Sequence, residues 1–526
     1  MLWALAVLAV MGIGGASLYF GDLNQDEGWY LYAARLVTQG QLPFIDFATT
    51  QMPVMPFAYA LANPVVEVLG VAGGRLVTFL LGFTTMLGAA WLAARLSRQQ
   101  SDKGVAALAV FILVGINLFQ VYFFTIVKTY ALGGLLLVAG LMLLSVEYKR
   151  SNRWAPFFAA VLLVMATGTR LSAGFVLPVV LLGMVLRRSE ANHQATIGFI
   201  LGAVLAAAAL FLPFAMRAPE AFWFALVEYH AGREVGGVVP QLAYKAGFLI
   251  RLVRDYFVAI SLATGLLLWV IWRRAAGREA EGASTEPTCP LSVGMLWGSV
   301  LLVSLVHVAA PFPYDDYQAM IYPLFGVAVV VSLMRRLQWH APAQSWAVTC
   351  LLVVSMAGVA ASPILEGWFV GPRDRIWWPM KARAPLRVLQ DTADHLRDEL
   401  GMRPGDTLLT QDPYLAVEAG MTIPHGLELG PFSYFPGWTR ERAEARHVVN
   451  REMLEAILRT SEADVAAFSG YGFAIELPAV RPLPEAEHAA LWSLLRSRYR
   501  DVMRVQPFGQ ADTELTVLKA MPAHDQ

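Results

Sequence analysis

Two adjacent carboxylates, Asp26 and Glu27, open the most chemically loaded stretch of the chain, NQDEGWYLYAARLVTQG over residues 24–40. An ionised carboxylate at the mouth of a cavity can take a proton from an incoming hydroxyl as a general base. Local signals put the pair in the first turn of a short helix. Asn24 is a favourable N-cap, Glu27 three positions on completes a capping box, and Gly40 suits the position just past the end. The helix dipole favours ionised carboxylates there. Glu27 therefore has a structural alternative as the cap, and Asp26 has one as a surface carboxylate satisfied by the dipole. Trp29, Tyr30 and Tyr32 suit a membrane interface. Asp46, in LPFIDFATTQMP, is either a further acidic candidate or the end of a turn.

Four other places carry charge next to long apolar runs. Arg170 sits in ATGTRLS, Lys128 in FTIVKTYAL, His230 and Arg233 in EYHAGR, and Asp315 and Asp316 between Tyr314 and Tyr317. A charge facing lipid costs about 2.5–3.5 kcal/mol at a helix centre, so such a residue marks function or snorkels to the interface. Lys128 has the alternative of an interface anchor beside Tyr130, and His230 and Arg233 that of solvated loop residues. The Asp315–Asp316 pair suits hydroxyl groups or a divalent cation, and equally a polar loop tip. His307, inside an apolar run, is expected to pack against a polar neighbour. The aromatic GPFSYFPGW at 430–438 could stack on a ligand, but core packing is the expected use. The chain has no phosphate-binding Gly-rich loop, HExxH, GxSxG or paired CxxC.

The elements that must hold these residues are mostly apolar. The 526 residues are 57% hydrophobic and only 15% charged, against roughly 25% charged in a soluble protein. Forty basic and forty acidic residues cancel, which gives no basis for a nucleic-acid partner. Cys289 and Cys350 are too few for a disulfide framework or a zinc site. Apolar runs near the length of a transmembrane helix occur at 2–20, 76–94, 105–124, 130–147, 155–169, 173–186, 196–215, 247–272, 292–310, 319–334 and 345–364. The first lacks the basic start and cleavage site of a secretory signal and reads as a retained span.

The stretch 155–186 is long for one crossing and short for two, and charge settles its parity. Two crossings put Arg95, Arg98, Lys103, Lys149, Arg150, Arg153, Arg187, Arg188, Arg273, Arg274, Arg335 and Arg336 on one side, as the positive-inside rule requires of the cytoplasm. Loops 21–75, 125–129, 170–172, 216–246 and 311–318 then face outward, as does everything after about 366. Beyond that point charges become frequent. Short β-type runs (TLLT 407–410, VAAF 465–468, LTVLKA 515–520) alternate there with helical patterns near 384–400, 440–459 and 485–500. The expected architecture is a polytopic α-helical membrane protein of about eleven transmembrane helices over 1–366, with a soluble extracytoplasmic α/β domain over 367–526.

The series Asp26-Glu27-x-x-Tyr30, Gly40, Pro43-Phe44-x-Asp46-Phe47, Pro53, Tyr59, Gly70 and Arg75 resembles the N-terminal signature of membrane glycosyltransferases of the GT-C superfamily. It is similar in particular to the bacterial branch related to dolichyl-phosphate-mannose protein mannosyltransferases and lipid A aminoarabinose transferases. The detailed match covers about residues 20–80, and the span pattern extends it loosely to the rest.

That resemblance implies a reaction in a bacterial inner (plasma) membrane. A sugar passes from a polyprenyl-phosphate carrier to an acceptor hydroxyl on lipid, polysaccharide or protein, usually with inversion at the anomeric carbon. It implies Asp26 as general base and Glu27 as accessory carboxylate; beside it, Tyr30, Asp46, His230, Asp315 and Asp316 are the candidates toward substrate from the residues themselves. Arg170, Lys128 and Arg233 would serve the donor phosphate, where positive charge must meet the developing anion. Related enzymes often place a second acidic residue where this chain has Lys128, which puts a metal-dependent variant in doubt. A transporter or lipid flippase is the reading from another class, and a catalytically silent relative in envelope assembly a third. Transporters tend to show repeats with broken helices at the membrane midplane. Here the charges gather at loop ends instead.

Overall fold

A computed structural model describes residues 1–146, 154–187, 190–232, 236–276, 291–336, 341–367, 381–470, 472–474 and 483–522. Five stretches are long and apolar enough to cross a membrane: Leu2–Phe20 (helix α1), Asn63–Leu96 (α4), His193–Arg217, Phe257–Ala275 and Pro342–Ala360. Thr129–Leu144, Trp154–Thr169, Leu171–Leu186 and Val293–Ala309 are shorter apolar helices. The protein is an integral membrane protein on this evidence. Arg95, Arg273, Arg274, Arg335 and Arg336 fall in the last turns of their helices.

Several expected elements are broken. The 105–124 run forms two helices, Lys103–Gly115 and Leu118–Phe123. The break comes at Asn117, whose Oδ1 accepts from Gln120 N at 2.8 Å and caps the second helix. The span expected at 247–272 is corrected to two helices, Val238–Asp255 and Phe257–Ala275, parted at Tyr256. Lys245, Arg251, Arg254 and Asp255 make the first amphipathic, which a continuous apolar reading overlooks. Ahead of α4 the chain forms a short helix, α3 (Val54–Ala60), and α4 starts at Asn63-Pro64 and runs on through Gly70. Gly70 bends α4 at φ 60°, ψ −144°, and the freed Val71 N donates to Glu418 at 2.7 Å. A side chain at 70 would meet both the positive φ and the Glu418 carboxylate.

The C-terminal segment holds a four-stranded sheet in the order β1-β2-β4-β3: β1 Leu408–Thr410, β2 Val465–Ser469, β3 Tyr499–Phe508 and β4 Thr513–Ala520. β1 and β2 run parallel, and the other pairs are antiparallel. TLLT, VAAF and LTVLKA lie on β1, β2 and β4. β3 escaped the sequence reading because it is an edge strand, exposed at most positions and rich in charge. The 440–459 pattern splits into Arg440–Glu444 and Arg451–Thr460, since Asn450 caps the second helix.

The helix Gln25–Thr38 (α2) belongs to both halves. Its Trp29, Leu31 and Leu36 share one hydrophobic cluster with Met55 and Tyr59 and with Leu415, Leu427, Val465 and Val517 of the C-terminal segment. Gly28 permits the contact, because a Cβ there would collide with the Tyr414 backbone. Arg35 donates to the carbonyls of Met421 (2.8 Å) and Val417 (3.1 Å), and Tyr32 OH accepts from Ile423 N at 2.8 Å.

Glu27 and Arg75 tie α2 to the membrane helices. Both side chains are fully buried. Arg75 Nε donates to Glu27 Oε2 at 2.8 Å and Nη2 to Oε1 at 2.6 Å. The remaining guanidinium donors reach the carbonyls of Leu18, Gly21 and Asp22 at 2.8–3.0 Å. Glu27 also accepts from Asn24 N (3.0 Å), completing the capping box, and from Val127 N (3.2 Å). One ion pair thus fixes α1, α2, α4 and the turn that precedes Lys128. Removing one partner of such a pair leaves a buried charge uncompensated, at a cost of about 3–5 kcal/mol. Glu27→Gln should lose stability of that order and melt well below wild type in detergent. An unchanged melting temperature would refute the assignment.

Candidate functional site

The ends of these elements opposite the terminal arginines enclose a cavity of about 410 Å³. It is lined by Asp26, Tyr30, Lys128, Arg170, His230, Asp315 and Asp316, seven of the ten residues singled out in the sequence. Glu27 lies behind its wall, bound to Arg75. Asp46 is exposed elsewhere and closes a turn by accepting from Leu42 N at 2.7 Å. Arg233 lies outside the described residues.

Lys128, the residue before the Thr129–Leu144 helix, is nearly buried with its ammonium between two carboxylates. Nζ stands 2.9 Å from Asp316 Oδ2 and 3.2 Å from Asp26 Oδ2. Burial alone would lower the Lys128 pKa, but Asp316 and Asp26 outweigh it and hold the amine above its ordinary value. Tyr130 OH donates to the same Asp316 oxygen at 2.9 Å. The Asp26 side chain is 28% exposed whereas that of Asp316 is 3% exposed, so Asp26 is the carboxylate of the set that a ligand can reach. It occupies the first turn of α2, and its backbone N donates to Asn24 Oδ1 at 3.1 Å.

Arg170 sits where the Trp154–Thr169 helix gives way to the 171–175 turn. Its guanidinium carbon lies 4.8 Å from the Tyr130 ring centre and 4.2 Å from that of Tyr317. Nη1 donates to Thr129 Oγ1 at 3.3 Å, while Nε is buried with no hydrogen-bond partner among the described residues. No described carboxylate lies within ion-pair distance of it. Arg251 is different, because its Nε reaches both oxygens of Asp315, at 3.0 and 3.1 Å. The sequence reading missed Arg251 by placing it inside an apolar span. The signal was there in the charges at 251, 254 and 255, which fall at the i, i+3, i+4 spacing of one helix face.

Aromatic groups line the rest of the cavity. Trp29 stacks on Phe432 with ring centres 5.7 Å apart and planes 6° apart, and Tyr229 lies 6.4 Å from Phe432. Of the 430–438 aromatics, Phe435 and Trp438 pack into the core against Phe224, as expected, but Phe432 reaches the cavity. Gln510, at the β3–β4 turn, also lines it and accepts from Gln25 N at 3.0 Å. His230 Nε2 lies 3.2 Å from the Thr50 carbonyl. His307 pairs with Ser172 Oγ at 2.9 Å, the polar neighbour anticipated for it.

Asp26 and Asp316 are the carboxylates a divalent cation would bridge, but the Lys128 ammonium already lies between them. No group of three or more His, Cys, Asp or Glu able to hold an ion occurs among the described residues. The residues here do not fit a divalent ion.

No protein-family model and no curated protein matches the sequence. Solved structures do. ArnT from Cupriavidus metallidurans bound to undecaprenyl phosphate aligns with TM-score 0.58 at 13% identity, over 98% of this chain and 97% of that one. The same protein in its apo state aligns with TM-score 0.57 at 13% identity and the same coverage. The Archaeoglobus fulgidus oligosaccharyltransferase tethered to an acceptor peptide aligns more loosely, with TM-score 0.46 at 11% identity, over 97% of this chain and 74% of that one. The likeness to ArnT covers nearly the whole of both chains, and this protein shares the fold of that structure.

Proposed function

We propose that this chain is a membrane glycosyltransferase that moves a sugar from a polyprenyl-phosphate carrier to an acceptor hydroxyl. The observation that carries the reading is the pairing, in one cavity, of a reachable carboxylate with a cation that lacks one. Lys128 is shared by Asp26 and Asp316, and Arg251 is held by Asp315, which leaves the Arg170 guanidinium to meet an anionic ligand. Its planar fork matches a phosphate. The undecaprenyl phosphate bound to the ArnT structure of the same fold supports this choice of anion. The arginines at the far ends of three helices support, under the positive-inside rule, a reading with the cavity and the C-terminal segment on the outer face.

The chemistry follows from the arrangement. The acceptor oxygen attacks the anomeric carbon from the face opposite the phosphate, and the bond from that carbon to the phosphate oxygen breaks. The electron pair leaves with the carrier phosphate, whose added charge Arg170 neutralises. The acceptor proton passes to Asp26. Lys128, 3.2 Å from Asp26 Oδ2, holds that carboxylate in place until then. The product carries the inverted configuration.

Asp26→Asn should lower turnover by about a hundredfold or more, the usual worth of a general base, while undecaprenyl phosphate still binds. Mass spectrometry of sugar transfer from a panel of polyprenyl-phosphate sugars measures this. Full activity would remove Asp26 from the role, and transport of the carrier into liposomes without consumption would favour a flippase. Arg170→Ala should weaken undecaprenyl phosphate binding by about ten- to a hundredfold, the loss of one charge-assisted hydrogen bond. Unchanged affinity would return Arg170 to an interface anchor.

A further inference from the structure

The cavity has a second end that the phosphate chemistry does not use, built around Trp29, Thr50 and Phe432. Trp29 is 95% buried and its indole is stacked, on Tyr30 at 4.9 Å and on Phe432 at 5.7 Å. Its Nε1 is buried without a hydrogen-bond partner among the described residues. Thr50 is fully buried, and its Oγ1 is likewise without a partner there. Buried polar groups are nearly always hydrogen-bonded, because leaving one unpaired forfeits its hydration with nothing in return. Two orphans on residues that line one cavity therefore point to a ligand that supplies the missing partners.

The surroundings select the ligand. Phe432 and Tyr229 offer apolar ring surface beside the two orphans, and His230 stands next to Thr50 through its carbonyl. A saccharide ring combines C–H faces that rest on aromatic rings with a rim of hydroxyls and a ring oxygen that hydrogen-bond at the edge. A peptide hydroxyl on a flexible backbone would leave this wall largely unfilled. Position selects the source. Trp29 lies three residues after Asp26 on α2, on the same helical face, so the ring at Trp29 presents its hydroxyl to the base. We infer that this end of the cavity is the acceptor subsite and that the acceptor is a saccharide, free or part of a glycolipid, rather than a polypeptide side chain. The inference rests on the glycosyl-transfer reading above.

The test uses full-length protein in detergent with saturating undecaprenyl phosphate. Methyl pyranosides and furanosides are compared with capped serine and threonine peptides by saturation-transfer NMR. At least one glycoside should bind while the carrier is present. Thr50→Val, which keeps shape, should weaken it about fivefold, as expected for one neutral hydrogen bond, and Trp29→Phe, which removes the N–H together with part of the stacked ring, by at least as much. Their undecaprenyl phosphate affinity should stay at the wild-type level, which also shows that both variants are folded. The inference falls if no glycoside binds, if the variants bind it as well as wild type, if the carrier displaces it, or if only the peptides bind. Failure of wild-type protein to bind undecaprenyl phosphate would instead sink the glycosyltransferase reading itself.

Discussion

The Glu27–Arg75 ion pair is the constraint on which the arrangement of the site depends. Neither charge touches water, and their attraction is supplemented by hydrogen bonds that satisfy the guanidinium on all sides. A buried pair is a weak source of net stability, since desolvating two ions offsets much of what they gain. Its value is specificity of position. Glu27 holds the start of α2 and, through Val127 N, the turn that delivers Lys128, so Asp26 and Lys128 meet because their neighbours are fixed to the same carboxylate.

The cavity is a place where most charges are already answered. Asp315 and Arg251 form one pair, while Asp316 and Asp26 divide Lys128. Arg170 instead rests between two tyrosine rings, which stabilise a cation without neutralising it. A guanidinium held this way stays in place and retains its capacity for an anion. The same logic separates the carboxylates, because Asp316 also takes the Tyr130 hydroxyl whereas Asp26 keeps an exposed edge.

The C-terminal segment takes part in the site as well as covering it. α2 is packed on both sides, with the membrane helices joined through Glu27 and the C-terminal helix Pro413–Ala419 joined through Gly28. Phe432 and Gln510 arrive at the cavity as a result. Lys381 adds a further tie by pairing with Asp22 beside the Arg75 cluster. A helix clamped between two cores is a rigid carrier for a base that must meet its substrate at hydrogen-bond distance.

The sequence by itself determined the apolar membrane-spanning character, the capped helix at Asn24, three of the four strands and the charged residues Asp26, Lys128, Arg170, Asp315 and Asp316 that line the cavity. Those features rest on local physics: hydrophobic length, helix-cap chemistry, β-type alternation and the cost of placing charge near lipid. It set Glu27 apart as the partner in a capping box, but both remain adjacent carboxylates of one first helical turn until something is packed against one of them. Arg75, 48 residues away, decided that. The sequence could not show that Lys128 lies between Asp26 and Asp316, that no carboxylate among the described residues pairs with Arg170, or that Arg251 leaves the membrane run to meet Asp315. These are matters of which side chains share a space, and only the packing of distant segments brings them together.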